Sequence, residues 1–243
     1  MEFVDGQDLE QLVKEKGPLP VPQACEYVRQ AADGLQQAHE AGMVHRDIKP
    51  HNLMVGADGK IKILDFGLAS LTAEILDEDL LEEAGGDSSS QSSLSPRLTV
   101  SGTMMGTPDY ISPEQGRDAS SADIRSDIYG LGCTLYYLLS GKPPFDEGSV
   151  FDKLRAHTSE EAKSLADIRD DVPEDVAMIV RKMMAKRPED RYQTPAEVAD
   201  ALVAASCQLA GSVATEVQPQ GGQAGSLSPR WLIPTAALLL LAL

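Results

Sequence analysis

Asp47, Lys49 and Asn52 stand together in HRDIKPHN, residues 45–52, and Asp65 opens the triplet DFG shortly afterwards. Two carboxylates, an ammonium and an amide in this order are the set that phosphoryl transfer asks of a protein. That reaction needs little covalent help; it needs a carboxylate to orient the attacking hydroxyl, a cation for the developing charge, and hard oxygen ligands for Mg²⁺. Singly, each residue reads as a turn former or a solvated charge, and a lone HRD or DFG means little. Their succession within one short stretch carries the weight.

The neighbouring elements must hold that stretch still. Ala24, Val28, Ala31, Leu35 and Ala38 recur at spacings of four and three, which predicts a helix that opens near Pro22, buries one face and stops at Gly42. Between the two motifs, residues 53–55 and 61–64 are short apolar runs joined by Gly56-Ala57-Asp58-Gly59, the composition of a β-hairpin turn. From Asp127, DIYGLGCTLYYLLSG is apolar all round and ends at Gly141 with Pro143 beyond, which predicts a wholly buried helix. Val176, Ile179, Val180 and Met183 form another helical stripe, and Thr194-Pro195-Ala196-Glu197 reads as a capping box with proline at the first helical position.

Composition narrows the classes. The 243 residues include 42% hydrophobic ones, enough to fill a core, and the net charge of −17 repels a phosphate backbone, so nucleic-acid binding is excluded. Cys25, Cys133 and Cys207 lie far apart, with no CxxC pair and no histidine at ligand spacing, which argues against a disulfide scaffold and a structural zinc. The first twenty residues carry acids and lysines where a secretory leader needs an apolar stretch. Residues 72–99 are acidic and then serine-rich, the composition of a mobile loop, and residues 211–229 are rich in Gly, Gln, Ser and Pro, the composition of a linker. After Arg230, the 13 residues 231–243 carry no charge. As a helix they reach roughly 20 Å against roughly 30 Å of bilayer hydrocarbon. Both a shortened membrane helix and an apolar tail stay open.

HRDIKPHN followed by DFG resembles the catalytic loop and metal-binding motif of protein kinases. GTPDYISPE, residues 106–114, resembles the end of their activation segment, with Ser112-Pro113-Glu114 in place of the usual Ala-Pro-Glu. SDIYGLG resembles their buried central helix and RPEDRY the site of a buried arginine, while residues 1–6 resemble the hinge between lobes. Six motifs in order over residues 1 to about 205 leave no rival family. The resemblance implies an α+β kinase-like fold: a mainly α-helical C-terminal lobe with a short β-hairpin at the catalytic loop. The expected organisation is a kinase domain over 1–205 with the insert 72–99, a linker over 206–230 and the apolar tail 231–243.

Roles follow from the resemblance residue by residue. Asp47 orients the hydroxyl or takes its proton, and Lys49 contacts the γ-phosphate of ATP, a lysine that resembles serine/threonine rather than tyrosine kinases. Asn52 and Asp65 hold Mg²⁺. Backbone groups near Glu2 and Val4 bind the adenine edge, Asp8 reaches the ribose and Met54 forms the adenine floor. Arg46 offers a docking cation for a phosphorylated activation loop, with Thr99, Ser101 and Thr103 as the acceptors. Thr107 positions substrate, Asp127 braces the catalytic loop, and Arg191 pairs with Glu114. His45 and Phe66 are packing residues, and His39, His51 and His157 carry no chemistry.

The implied partners are protein substrates and ATP, with dimerisation for autophosphorylation and, through 231–243, a membrane; the domain is then cytoplasmic and anchored at the inner face. The glycine-rich loop, strand lysine and helix glutamate of a kinase are not found, so the N-terminal lobe is expected to be encoded before Met1. Two classes remain: a serine/threonine kinase, favoured by the four intact residues, and an inactive kinase-like binding module, favoured by the missing lobe.

Overall fold

The computed structural model describes residues 6–66 and 108–215, with side chains as far as Cys207. The predicted stripe Ala24, Val28, Ala31, Leu35 and Ala38 lies buried along one face of α2 (Val21–Glu40), which packs against two later helices. The first of these is α4 (Ile124–Ser140), in which Ile128, Leu131, Leu135, Leu138 and Leu139 are all 0% exposed. It is the wholly buried helix the sequence predicts. Gly141 ends it at φ +79°, a left-handed cap that returns its N–H to the Tyr137 carbonyl. Helix α6 (Glu174–Met183) presses Val176, Ile179, Val180 and Met183 into the same core.

The predicted hairpin forms as β2 (Leu53–Gly56) and β3 (Ile61–Ile63). The sheet has a third strand, β1 (Gly6–Asp8), antiparallel to β2 with Asp8 opposite Met54. The sequence gives no warning of it, because three residues, Gly-Gln-Asp, carry no alternating pattern and pair through backbone alone. Helix α1 (Leu9–Lys16) leaves β1 directly, with the Asp8 carboxylate accepting from the Gln11 N–H at 2.9 Å as its cap.

The loop of residues 45–52 sits on α4 at a point of very close approach. A Cβ at Gly130 would stand 2.6 Å from the Ile48 carbonyl oxygen, whereas one at Gly116 would meet nothing nearer than 3.8 Å. Gly130→Ala is therefore expected to push the loop off α4 and to cost about 1–3 kcal/mol in chemical denaturation, the range for an overpacked core. Gly116→Ala, on the short helix α3 (Pro113–Arg117), is the control and leaves the midpoint within about 1 kcal/mol. Equal midpoints for the two variants would contradict this account.

Helix α5 spans Val150–Ser159 and α7 spans Pro195–Thr215. The latter runs past residue 206, where the linker is expected to begin, because the alanine-rich run ALVAASCQLA favours helix strongly enough to carry through Gly211. Its capping box forms only in half. Thr194 Oγ1 accepts from the Glu197 N–H at 3.3 Å, but Glu197 reaches one residue further back, to the Gln193 N–H at 2.9 Å. Cys25 and Cys133 are buried and Cys207 is exposed, none in a disulfide. Burial pushes the Cys25 thiol up to about 11 and moves Cys133 the same way. Among the described residues no helix is long and apolar enough to cross a membrane.

Candidate active site

The site is built where α2 hands over to the hairpin. Asp127, 1% exposed on α4, accepts the His45 N–H at 2.8 Å through one oxygen and the Arg46 N–H at 2.7 Å through the other. Burial pushes its carboxyl up to about 7, against these two donors and the Arg46 charge, which hold it down. His45 is itself buried and its Nε2 lies 2.7 Å from the Leu64 carbonyl. Burial lowers its pKa, although that carbonyl and the Asp47 and Asp65 charges act the other way, so the ring is neutral at pH 7. It meets the Phe66 ring edge-to-face, with centroids 4.9 Å apart. The two aromatic groups thus tie the first motif to the second by packing.

On this base the polar residues converge. Lys49 Nζ donates to Asp47 Oδ2 at 2.7 Å. The Asn52 amide donates to the same oxygen at 3.1 Å and to the Asp47 carbonyl at 2.8 Å. Asn52 is 4% exposed, at the end of the turn Pro50–Asn52, and its carbonyl accepts the Leu64 N–H at 2.9 Å. That bond sets Asp65 beside it. The Asp65 carboxylate is exposed and has no hydrogen bond or ion pair among the described residues.

The donor set fits Mg²⁺. Asn52 turns its NH₂ group towards Asp47, which frees its side-chain oxygen, and Asp65 adds an uncommitted carboxylate; both are hard oxygen donors. Arg46 at φ +68° and Asp65 at φ +60° are the non-glycine residues with left-handed backbone among those described, and both lie here. Such a conformation costs about 1–3 kcal/mol and persists only where the surroundings dictate it.

Glu114 and Arg191 meet in a buried bidentate pair, with contacts of 2.7 and 2.8 Å. Burial pushes Glu114 up, but the Arg191 and Ser126 hydrogen bonds outweigh it and hold the carboxyl below its ordinary 4.5. Asp8 and Met54 are brought side by side by the β1–β2 register. Glu2, Val4, Thr99, Ser101, Thr103 and Thr107 lie outside the described residues, as do the insert 72–99 and the tail 231–243.

Sequence reasoning passed over three contributors. Gln115 on α3 donates to the Arg46 carbonyl at 2.7 Å, Ser126 donates to Glu114 at 2.7 Å, and Lys153 on α5 reaches Asp109 at 2.6 Å in a largely buried ion pair. Only the first had a local signal, the Ser-x-x-Gln spacing of a capping box at residues 112–115. His157 packs in the core: it is 0% exposed, 2.8 Å from the Tyr129 hydroxyl, and burial lowers its pKa to about 3.

The fold with this site matches that of a crystal structure of Rad53 1–466 in complex with AMP-PNP, with a TM-score of 0.61 and 25% identity over 83% of this chain and 45% of that one. In sequence the chain is 38% identical to the serine/threonine-protein kinase PknB of Mycobacterium leprae over 82% of its own length. It is 39% identical to the probable serine/threonine-protein kinase CE0033 of Corynebacterium efficiens, again over 82%. It spans 28% of the length of either relative. The protein kinase domain model matches residues 1–203, which takes in every element that supports Asp47, so the chain belongs to the protein kinase family.

Proposed function

We propose that the protein transfers the γ-phosphate of ATP to serine and threonine hydroxyls of proteins. The observation that carries this reading is the hydrogen-bonded group of Asp47, Lys49 and Asn52 with Asp65 alongside. A module that only bound partners would need none of these contacts, so they favour the enzyme over the inactive alternative.

Asp47 Oδ2 is occupied by Lys49 and Asn52, which turns the carboxylate so that Oδ1 is left for the acceptor hydroxyl. As the bond from the acceptor oxygen to phosphorus forms and the bond to the ADP oxygen breaks, Asp47 receives the departing proton. Lys49, which donates to that carboxylate, offsets the charge of the transferring phosphate in this reading. Mg²⁺, held by Asn52 and Asp65, supplies charge neutralisation at the phosphates when bound. Met54 and Asp8 supply the adenine floor and the ribose contact, and backbone groups near Glu2 and Val4 the adenine edge.

Control by phosphorylation of Thr99, Ser101 or Thr103, with Arg46 as the docking cation and Thr107 positioning substrate, belongs to the same reading. So do autophosphorylation within a dimer and anchoring of a cytoplasmic domain at the membrane through residues 231–243. The test is radiolabelled transfer from ATP by the natural full-length protein, followed by phosphoamino acid analysis. Phosphoserine and phosphothreonine, lost on removing Mg²⁺ and cut about 10²- to 10³-fold by Lys49→Met, are expected. Phosphotyrosine alone, or transfer indifferent to both treatments, would refute the assignment.

A further inference from the structure

Ser112 stands where the activation-segment motif usually has alanine, and the reaction outlined above gives it no part. It is 0% exposed and caps α3, its Oγ accepting the Gln115 N–H at 3.4 Å. The Gln115 side-chain oxygen accepts from the Ser112 hydroxyl at 2.9 Å and from the Ser112 N–H at 3.2 Å. Two donors on that oxygen decide which way the amide points. Its NH₂ group therefore faces the catalytic loop, where it donates to the Arg46 carbonyl at 2.7 Å.

That carbonyl belongs to the peptide group joining Arg46 to Asp47. Arg46 is held at φ +68°, with its own N–H fixed by Asp127 at 2.7 Å. Asp127 thus pins one side of the left-handed residue and Gln115 the other. The geometry points to Gln115 as a positioning residue for Asp47, oriented by Ser112. The capping box of α3 sets the angle of the peptide that presents the Asp47 carboxylate, so the end of the activation segment and the catalytic loop are placed together. This inference rests on the reading of Asp47 as the group that meets the acceptor hydroxyl.

Gln115→Ala, Gln115→Glu, Ser112→Ala and the double variant Ser112→Ala/Gln115→Ala test it in two readouts. The first is steady-state transfer by the natural full-length protein. Gln115→Ala is expected to lower kcat about 10- to 100-fold with KM for Mg-ATP unchanged. Gln115→Glu sets a carboxylate oxygen against the Arg46 carbonyl and loses at least as much. Ser112→Ala loses less, and nothing further once Gln115 is already alanine, because it acts through that side chain. The second readout is an NMR signal across the Arg46–Asp47 peptide, from ¹³C-carbonyl arginine and ¹⁵N-aspartate labels.

This chain holds three Arg–Asp pairs, 46–47, 117–118 and 169–170, and Asp47→Asn identifies the first by removing it. Gln115→Ala is expected to shift the 46–47 signal and leave 169–170 in place. An unmoved 46–47 signal, a kcat within twofold of the parent, or losses that add independently in the double variant overturns the inference. Absence of transfer by the unsubstituted protein overturns instead the kinase reading beneath it.

Discussion

Asp47→Asn in the natural full-length protein is expected to lower phosphate transfer by about 10²- to 10⁴-fold, the contribution of a positioned general base. The substitution keeps the side chain's shape and changes its chemistry. An amide cannot take the acceptor's proton, and whichever way it turns, one of its groups faces Lys49 Nζ or the Asn52 amide, both donors at present. The Asp47 side chain is 51% exposed, so unfolding stability should move by less than about 1 kcal/mol and KM for Mg-ATP by little. The combination of a large fall in kcat with an unchanged fold separates catalysis from damage. Turnover within tenfold of the parent would mean that another group holds the hydroxyl.

Arg191→Ala should have the reverse profile: a large loss of stability from a residue remote from the reacting atoms. Its guanidinium is fully buried and donates to Glu114 twice and to the carbonyls of Ala185, Arg125 and Lys186. It also lies over the Tyr129 ring, 4.8 Å from the centroid. Removing it strands a buried carboxylate and three carbonyls, for which about 3–5 kcal/mol is the usual cost. Arg191→Lys should recover little, since an ammonium has three donors and no planar fork to match a carboxylate.

The same pair predicts an acid limb in the stability curve. Glu114 in the folded protein titrates below its ordinary 4.5, so the unfolded chain binds the proton more readily. The pair's stabilisation is therefore complete above pH 4.5 and is lost as pH falls through the folded value. In Arg191→Ala the chief group holding Glu114 down is gone, burial is opposed mainly by the Ser126 hydrogen bond, and that limb should shrink. Denaturant unfolding as a function of pH measures both effects, and an Arg191→Ala midpoint equal to the parent's would remove the pair from the account of stability.

The helices were legible wherever one period decided burial. Ala24 to Ala38 at spacings of four and three could pack only as one helical face, and DIYGLGCTLYYLLSG could only be internal. Asp47, Lys49, Asn52 and Asp65 were legible because they lie close in sequence, and the structure holds the first three in direct contact. What escaped was long-range or made of backbone. Gln115 touches Arg46 across 69 positions, and nothing in a lone glutamine announces such a partner. Lys153 and Asp109 look like two solvated charges until α5 brings them together. The strand at Gly6–Asp8 exists because β2 offers it an edge, not because of its own residues.

The uneven burial of the three cysteines gives the protein a built-in clock. Only Cys207 offers an accessible thiol, while Cys25 and Cys133 lie in the core with their thiolates suppressed. A thiol-reactive reagent should modify one site quickly and the other two only as fast as the core opens. The delay between first and second adducts, followed by mass, then reports the opening of the α2–α4 core without denaturant. A reporter group on Cys207 would meanwhile leave the interior untouched.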